Sequence, residues 1–182
     1  MRVVSGKLRG MKLNTIEGDS TRPTRDIVKE ALFSILMNEI EDSVFLDLFS
    51  GSGAVGIEAI SRGAKEAIMV DLNPACVKII RENVKKAKIE ENVRIYNTDY
   101  KMALKKLHGQ KIDIAYIDPP YNREIGVDAV LRMSEYDLLS NEGIIIIETD
   151  SKEEIPSSIG RYEKYNYKRY GRNILSFYRR KE

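Results

Sequence analysis

From residue 44 onward the chain alternates between two patterns. Short, nearly unbroken apolar runs, "VFLDLF" (44–49), "AIMVD" (67–71), "NVRIYN" (92–97), "IDIAYID" (112–118) and "GIIIIETD" (143–150), are separated by stretches with wider apolar spacing. Strands buried on both faces give the first pattern, and the helices that cover them give the second. One such helix starts at Asn73 and Pro74 and turns Val77, Ile80, Val84 and Ala87 inward. Others are expected after the loop at 51–53, at "MALKKL" (102–107) and near 126–138. Ahead of the first strand, "TRPTRDIVKEALFSILMNEI" (21–40) carries apolar residues at 27/28, 31/32, 35/36 and 40, one face of a helix.

The two ends read differently. "RVVSGKLRGMKL" (2–13) holds short β-type pieces around Gly6 and Gly10, which suits a small hairpin or an irregular arm. "YEKYNYKRYGRNILSFYRR" (162–180) reads as a β-hairpin turning at Gly171. The expected architecture is one α/β domain, a mostly parallel, doubly wound sheet closed by an antiparallel strand. Residues 1–20 form a basic arm, and residues 21–182 form the core.

Composition narrows the setting. No apolar run approaches the roughly 18 residues of a membrane span, and "MRVVSGKLRG" lacks the apolar centre of a signal peptide. With Cys76 and His108 the single residues of their types, neither an internal disulfide nor a Cys/His zinc site is expected. A reducing cytoplasm, no membrane and no metal are therefore expected, and a monomer is the simplest state. The net charge of +2 conceals a division: +4 over residues 1–25, −8 over 26–160 and +6 over 161–182. An acidic body with basic ends suits a protein that grips a polyanion.

The chemistry begins at "DLFSGSGAVGIEA" (47–59), where Gly51, Gly53 and Gly56 follow a strand and open a helix. Asp71 ends the next strand 20 residues after Gly51, placed for ribose hydroxyls. These features fit a dinucleotide and S-adenosylmethionine alike. Asp47 tips the balance, because a carboxylate beneath the loop would repel a pyrophosphate and favour a cofactor bearing an ammonium and a sulfonium. Backbone N–H groups that satisfy Asp47 are the structural alternative. Phe49 joins the candidate cofactor set. Asp99 can accept from an adenine amino group, and it can equally cap the following helix.

"AYIDPPYNRE" (115–124) raises a second question, because two prolines, an acid and an aromatic ring make a costly strand exit. An exocyclic amine on a base is a poor nucleophile, since its lone pair is delocalised into the ring. Asp118 and the backbone carbonyl of Pro119 can accept its two N–H bonds and turn the lone pair toward a methyl donor. Pro120 restricts the residue before it and holds that carbonyl still. Tyr121 can stack on the base, worth roughly 1–3 kcal/mol. The base must be unpaired or flipped out to enter such a slot.

"DLFSGSGAVGIEA" with "IDPPY" resembles the class I S-adenosylmethionine-dependent methyltransferases that act on amino groups. Together with "RVVSGKLRGMKL" and "RPTRDIVKEALFSIL", it resembles the bacterial 16S ribosomal RNA guanine-N2 methyltransferases over nearly the whole chain. That resemblance implies a Rossmann-like sheet of seven strands, the last antiparallel. It implies methylation of one guanine amine in 16S ribosomal RNA on an assembling 30S particle, with S-adenosylmethionine as cofactor. It places Asp47, Gly51, Gly53, Asp71 and Asp99 on the cofactor and Asp118, Pro119 and Tyr121 on the base. Arg22 and Thr24 would line the site, while Arg2, Lys7 and Arg9 of the arm are candidate RNA contacts on charge. Three readings compete: an amino-methyltransferase of DNA adenine or protein glutamine, an NAD-linked oxidoreductase, and a non-catalytic RNA-binding assembly factor.

Overall fold

The computed structural model describes residues 1–16, 23–120 and 123–182, with only the backbone of Pro23–Arg25 and Arg123. Helix α1 (Pro23–Ile35) leads into β1 (Val44–Asp47), α2 (Ala54–Ser61), β2 (Glu66–Asp71) and α3 (Pro74–Ala87). Then come β3 (Val93–Asn97), α4 (Tyr100–Lys106), β4 (Ile112–Ile117), α5 (Arg123–Glu135) and β5 (Leu139–Asp150). The chain closes with β6 (Ser158–Ile159), β7 (Tyr162–Tyr170) and β8 (Asn173–Arg180). All lie in one sheet of order β3-β2-β1-β4-β5-β8-β7-β6.

Strands β1 to β5 are parallel, and β8 inserts antiparallel between β5 and β7. The seven expected strands are present, and two-residue β6 extends the far edge as an eighth. Two boundaries differ from the sequence pattern. Helix α1 ends at Ile35, yet Leu36 and Ile40 remain buried in the turns that follow. Strand β5 begins at Leu139, four residues early, and a register shift between Ile112 and Ile114 of β4 accommodates the added length.

Strand alternation sorts the core into two layers. Phe45, Met69, Ile114, Ile146 and Phe177 face α1–α3, packing with Phe33, Ile57 and Ile80. Leu46, Ile68, Ala115 and Ile147 face α4 and α5, packing with Leu104, Val130 and Met133. Each fully buried Leu, Ile or Phe contributes about 1.5–3 kcal/mol. Helix α3 shows the local logic. Asn73 Oδ1 accepts from Ala75 N at 2.9 Å, Pro74 sets the first turn, and left-handed Lys88 (φ 56°) ends it.

The N-terminal arm is docked, not free. One antiparallel bridge joins Arg2 and Lys12, and Val3 and Leu13 are buried. Glu58 of α2, fully buried, accepts from Val4 N at 2.9 Å and Ser5 N at 3.0 Å. The same carboxylate pairs with Lys29 at 3.4 Å and Arg62 at 2.9 Å. Gly6 sits so close to α2 that an added Cβ would lie 1.8 Å from the Ser61 carbonyl oxygen. Farther along, buried Asn83 of α3 accepts from Asn14 N at 2.7 Å and donates to Asn14 O and Ser52 O, both at 3.0 Å. The arm thus runs along α2 toward the glycine loop. No helix among the described residues is long and apolar enough to cross a membrane.

Candidate active site

Four neighbouring strands each deliver an aspartate to the carboxyl edge of the sheet. Asp99 follows β3, Asp71 ends β2, Asp47 ends β1 and Asp118 follows β4. Such an edge, where helices leave in both directions, is where open α/β sheets hold ligands.

The loop between β1 and α2 is built on backbone bonds. Ser50 Oγ donates to Asp47 O at 2.7 Å and accepts from Val70 N at 3.0 Å, tying the loop to both strands. Gly51 (φ 56°) and Gly53 (φ 79°) adopt the left-handed conformation that glycine enters without strain. An added Cβ at Gly51 would meet nothing within 4 Å, so open space faces its backbone. Asp71 Oδ2 accepts from Gly51 N at 2.8 Å, and Oδ1 accepts from Asn73 N at 2.9 Å. A carboxylate has about four lone-pair sites, so both oxygens keep capacity for a ligand. Asp99 uses Oδ1 alone for the cap of α4, accepting from Lys101 N at 2.8 Å and Met102 N at 3.1 Å.

Asp47 lies under this loop at 1% exposure, its Oδ2 accepting from Gly56 N at 3.2 Å. The backbone partner weighed in the sequence reading is therefore present. Burial pushes the carboxyl up to about 7 and the nearby charge of Asp71 adds to this, while the Gly56 N–H opposes it. Phe49 packs beside Tyr100 with ring centroids 5.6 Å apart, and Tyr100 Oη donates to Asp128 of α5 at 2.8 Å. Arg132 closes this chain on Asp128 at 2.7 Å.

Past β4, Asp118 is exposed and Pro119 is buried. Gly126 lets α5 approach this exit, since a Cβ there would come 3.2 Å from Ile147 and 3.6 Å from Pro119. Tyr116, buried just ahead, donates its hydroxyl to Glu148 Oε2, and Asn173 Nδ2 donates to Glu148 Oε1 at 2.5 Å. Burial raises the Tyr116 hydroxyl well above its ordinary range, with the charges of Glu148 and Asp118 adding to the effect. A cavity of about 520 Å3 lies beyond α5, lined by Glu124, Val127, Asp128, Leu131, Glu154, Ile155 and Pro156. Asp128 on its wall accepts from Tyr100, the ring neighbour of Phe49.

The family model described as "Conserved hypothetical protein 95" matches residues 1–179. The chain belongs to this family. It is 33% identical over 152 residues to "Ribosomal RNA small subunit methyltransferase D" of Haemophilus influenzae, covering 82% of this chain and 79% of that one. The Escherichia coli (strain K12) protein of the same name is 29% identical over 180 residues, 99% of this chain and 90% of that one. Among solved structures, "Putative methyltransferase yhhF from Escherichia coli" superposes with a TM-score of 0.88 at 28% identity, covering 100% of this chain and 98% of that one. The Rossmann-like sheet is thus the one these family members carry.

Not every candidate converges on the edge. Arg22 and Tyr121 lie outside the described residues, and Thr24 falls in the first turn of α1. Arg2, Lys7 and Arg9 are exposed on the arm. Lys7 N bonds Ser61 O at the last turn of α2, at the end away from the glycine loop. Eight residues of helix separate the two ends, about 12 Å, which sets Lys7 apart from the glycine loop. Sequence reading also missed residues at the edge. Leu72, 67% exposed beside Asp71, and Met102, 47% exposed beside Asp99, present apolar surface next to the two carboxylates. Their one available signal was an apolar residue standing outside the helical period. Glu148 and Asn173, far apart in sequence, gave none.

Proposed function

We propose that this protein transfers a methyl group from S-adenosylmethionine to the exocyclic N2 amine of a guanine in small-subunit (16S) ribosomal RNA. The observation that carries the reading is the Asp118–Pro119–Pro120 exit one strand beyond the glycine loop and its acidic edge. The family relatives named for small-subunit ribosomal RNA supply the substrate class.

The residues present fit that cofactor. Carboxylates at 47, 71, 99 and 118 disfavour a pyrophosphate and suit hydroxyls, an amine and an ammonium. Asp71 would take the ribose hydroxyls, and Asp99 Oδ2 the adenine amine, with Leu72 and Met102 as apolar walls. Phe49 and the backbone at Gly51 and Gly53 would bound the remainder. Asp47 acts through space, as a buried counter-charge beneath the loop. When bound, the cofactor supplies an electrophilic methyl group on a sulfonium.

Asp118 and the Pro119 carbonyl would accept the two N–H bonds of the amine. They hold its lone pair toward the methyl group and favour tetrahedral nitrogen. As the N–C bond would form and the methyl's bond to sulfur break, leaving a neutral thioether, the positive charge would pass to the nitrogen beside Asp118. The surplus proton then leaves to an Asp118 oxygen or to water. Because transfer is in-line, orientation can supply up to about 7–11 kcal/mol of the acceleration. Tyr121 would stack on the flipped base, with Arg22 and Thr24 on the N-terminal side.

The test compares labelled methyl transfer to unmodified 30S subunits, protein-free 16S RNA, duplex DNA and a release factor. Label recovered as N2-methylguanine from ribosomal RNA is the expected result. Label confined to DNA or protein would overturn the substrate. Absence of cofactor binding would overturn the enzyme reading and leave a fold that assists assembly without chemistry.

A further inference from the structure

The strand order divides the carboxyl edge into two halves. Glycine loop, Asp71 and Asp99 occupy β1, β2 and β3, and Asp118 stands on the next strand, β4. Beyond Asp118, away from the glycine loop, the sheet continues to β5 and β8. There Glu148 and Asn173 meet Tyr116.

Three observations single out Glu148. Register pairs Ile117 of β4 with Ile147 of β5, so Asp118 and Glu148 are the next residues outward on adjacent strands, roughly 5 Å apart in backbone. Its carboxylate is held by neutral donors, the Tyr116 hydroxyl on Oε2 and the Asn173 amide on Oε1. Among the described residues no Lys or Arg forms an ion pair with it. A half-buried carboxylate whose two oxygens are each held by a neutral donor keeps lone pairs to spare.

We propose that Glu148 is a specificity-determining residue that accepts from guanine N1–H while Asp118 and the Pro119 carbonyl hold the adjoining N2 amine. The inference rests on the guanine reading above. Guanine presents N1–H and N2–H2 side by side as a continuous row of donors. Adenine and cytosine place a ring acceptor where N1–H stands, and that lone pair would face the carboxylate. A site built to bond a donor rejects an analogue lacking it by large factors, because its own polar group is left unpaired. Tyr116 and Asn173 are positioning residues that aim Glu148. Glu148 also places a second negative charge near the nitrogen that turns positive during transfer.

The decisive probe is 2-aminopurine, which keeps the exocyclic 2-amine but carries an acceptor at N1. Two 16S RNAs, assembled by ligation with guanine or 2-aminopurine at the modified position, would be compared by single-turnover methyl transfer. The parent protein should prefer guanine on the order of 10²-fold or more. In Glu148→Gln the amide can turn its NH2 toward an acceptor. The preference should then collapse toward one, with S-adenosylmethionine affinity and thermal unfolding unchanged. Glu148→Asp should lose rate but keep the preference. Guanine transfer with an unchanged ratio in Glu148→Gln would overturn this inference alone. Equal parental rates on the two RNAs would overturn it without any variant. No parental transfer to guanine would overturn the guanine reading itself, and Glu148 with it.

Discussion

Glu58 and Asp47 are both withdrawn from water, and their surroundings could hardly differ more. Glu58 is met by two cations and two backbone N–H groups that arrive from the arm, α1 and its own helix. Asp47 is met by the Gly56 N–H at 3.2 Å and by the Ser50 side chain, and burial raises its proton affinity until it titrates near 7. A buried carboxylate that is fully partnered is a staple, and it belongs to the architecture. Asp47, set beneath an open loop with its proton affinity raised, is the acid proposed above to face a cofactor's charge.

The sharpest way to break that contrast is Glu58→Ala. Leaving buried Lys29 and partly exposed Arg62 without their anion should cost about 3–5 kcal/mol in a urea titration followed by circular dichroism. A loss under 1 kcal/mol would remove the staple. Next comes Asp118→Ala, which tests the exposed acid at the slot. Turnover should fall on the order of 10²–10³-fold with cofactor affinity retained. Near-parental turnover would cancel its assigned role.

Asp47→Asn should then invert the Glu58 result. In the unfolded chain this carboxyl ionises near its ordinary 3.8, whereas in the folded protein it does so near 7. Its contribution to stability is therefore fully present below about pH 4 and is lost as pH rises to about 7. The parent should lose stability across that window by an amount on the order of a few kcal/mol, and the Asn variant should lose less. Cofactor affinity should run the other way in the parent, rising with pH as the anion forms, and should flatten in Asp47→Asn. Calorimetric titrations at pH 6 and pH 8 decide it. An identical pH response in both proteins would take Asp47 out of the cofactor's reach.

The smallest effect expected is in the arm. Its backbone is held by Glu58, so changing Arg2, Lys7, Arg9 and Lys12 to Gln should leave the fold intact while weakening RNA binding. The slope of log affinity against log salt should flatten by up to about 3. An unchanged slope would reduce these residues to solvated surface.

Much of this was legible in the chain. Unbroken apolar runs placed the five parallel strands, and the hairpin at Gly171 placed the antiparallel edge. Asn73, Pro74 and Asp99 marked helix starts with the side chains that cap them. The aspartates were readable because each directly ends or follows an apolar run. Glu58 was not, since it sits in a helix like any surface acid, and only docking of a segment 54 residues earlier removes it from water. Asn83 was hidden in the same way by contacts 69 and 31 residues distant. Glu148 and Asn173 face one another only because β8 inserts next to β5. The arm, read as a polyanion grip, keeps its exposed charges but carries Lys7 and Arg9 to the far end of α2. Charge counts give sign and quantity, and they carry no direction.

Attachment of the arm to Glu58 has a consequence for the newborn chain. Val4 is synthesised 54 residues before Glu58, its acceptor. At roughly 5–20 residues per second, the arm waits about 3–10 s for the helix that will receive it. Throughout that interval the backbone N–H groups of Val4 and Ser5 lack their final acceptor. The arm is thus open to cellular chaperones until its acceptor helix has been made.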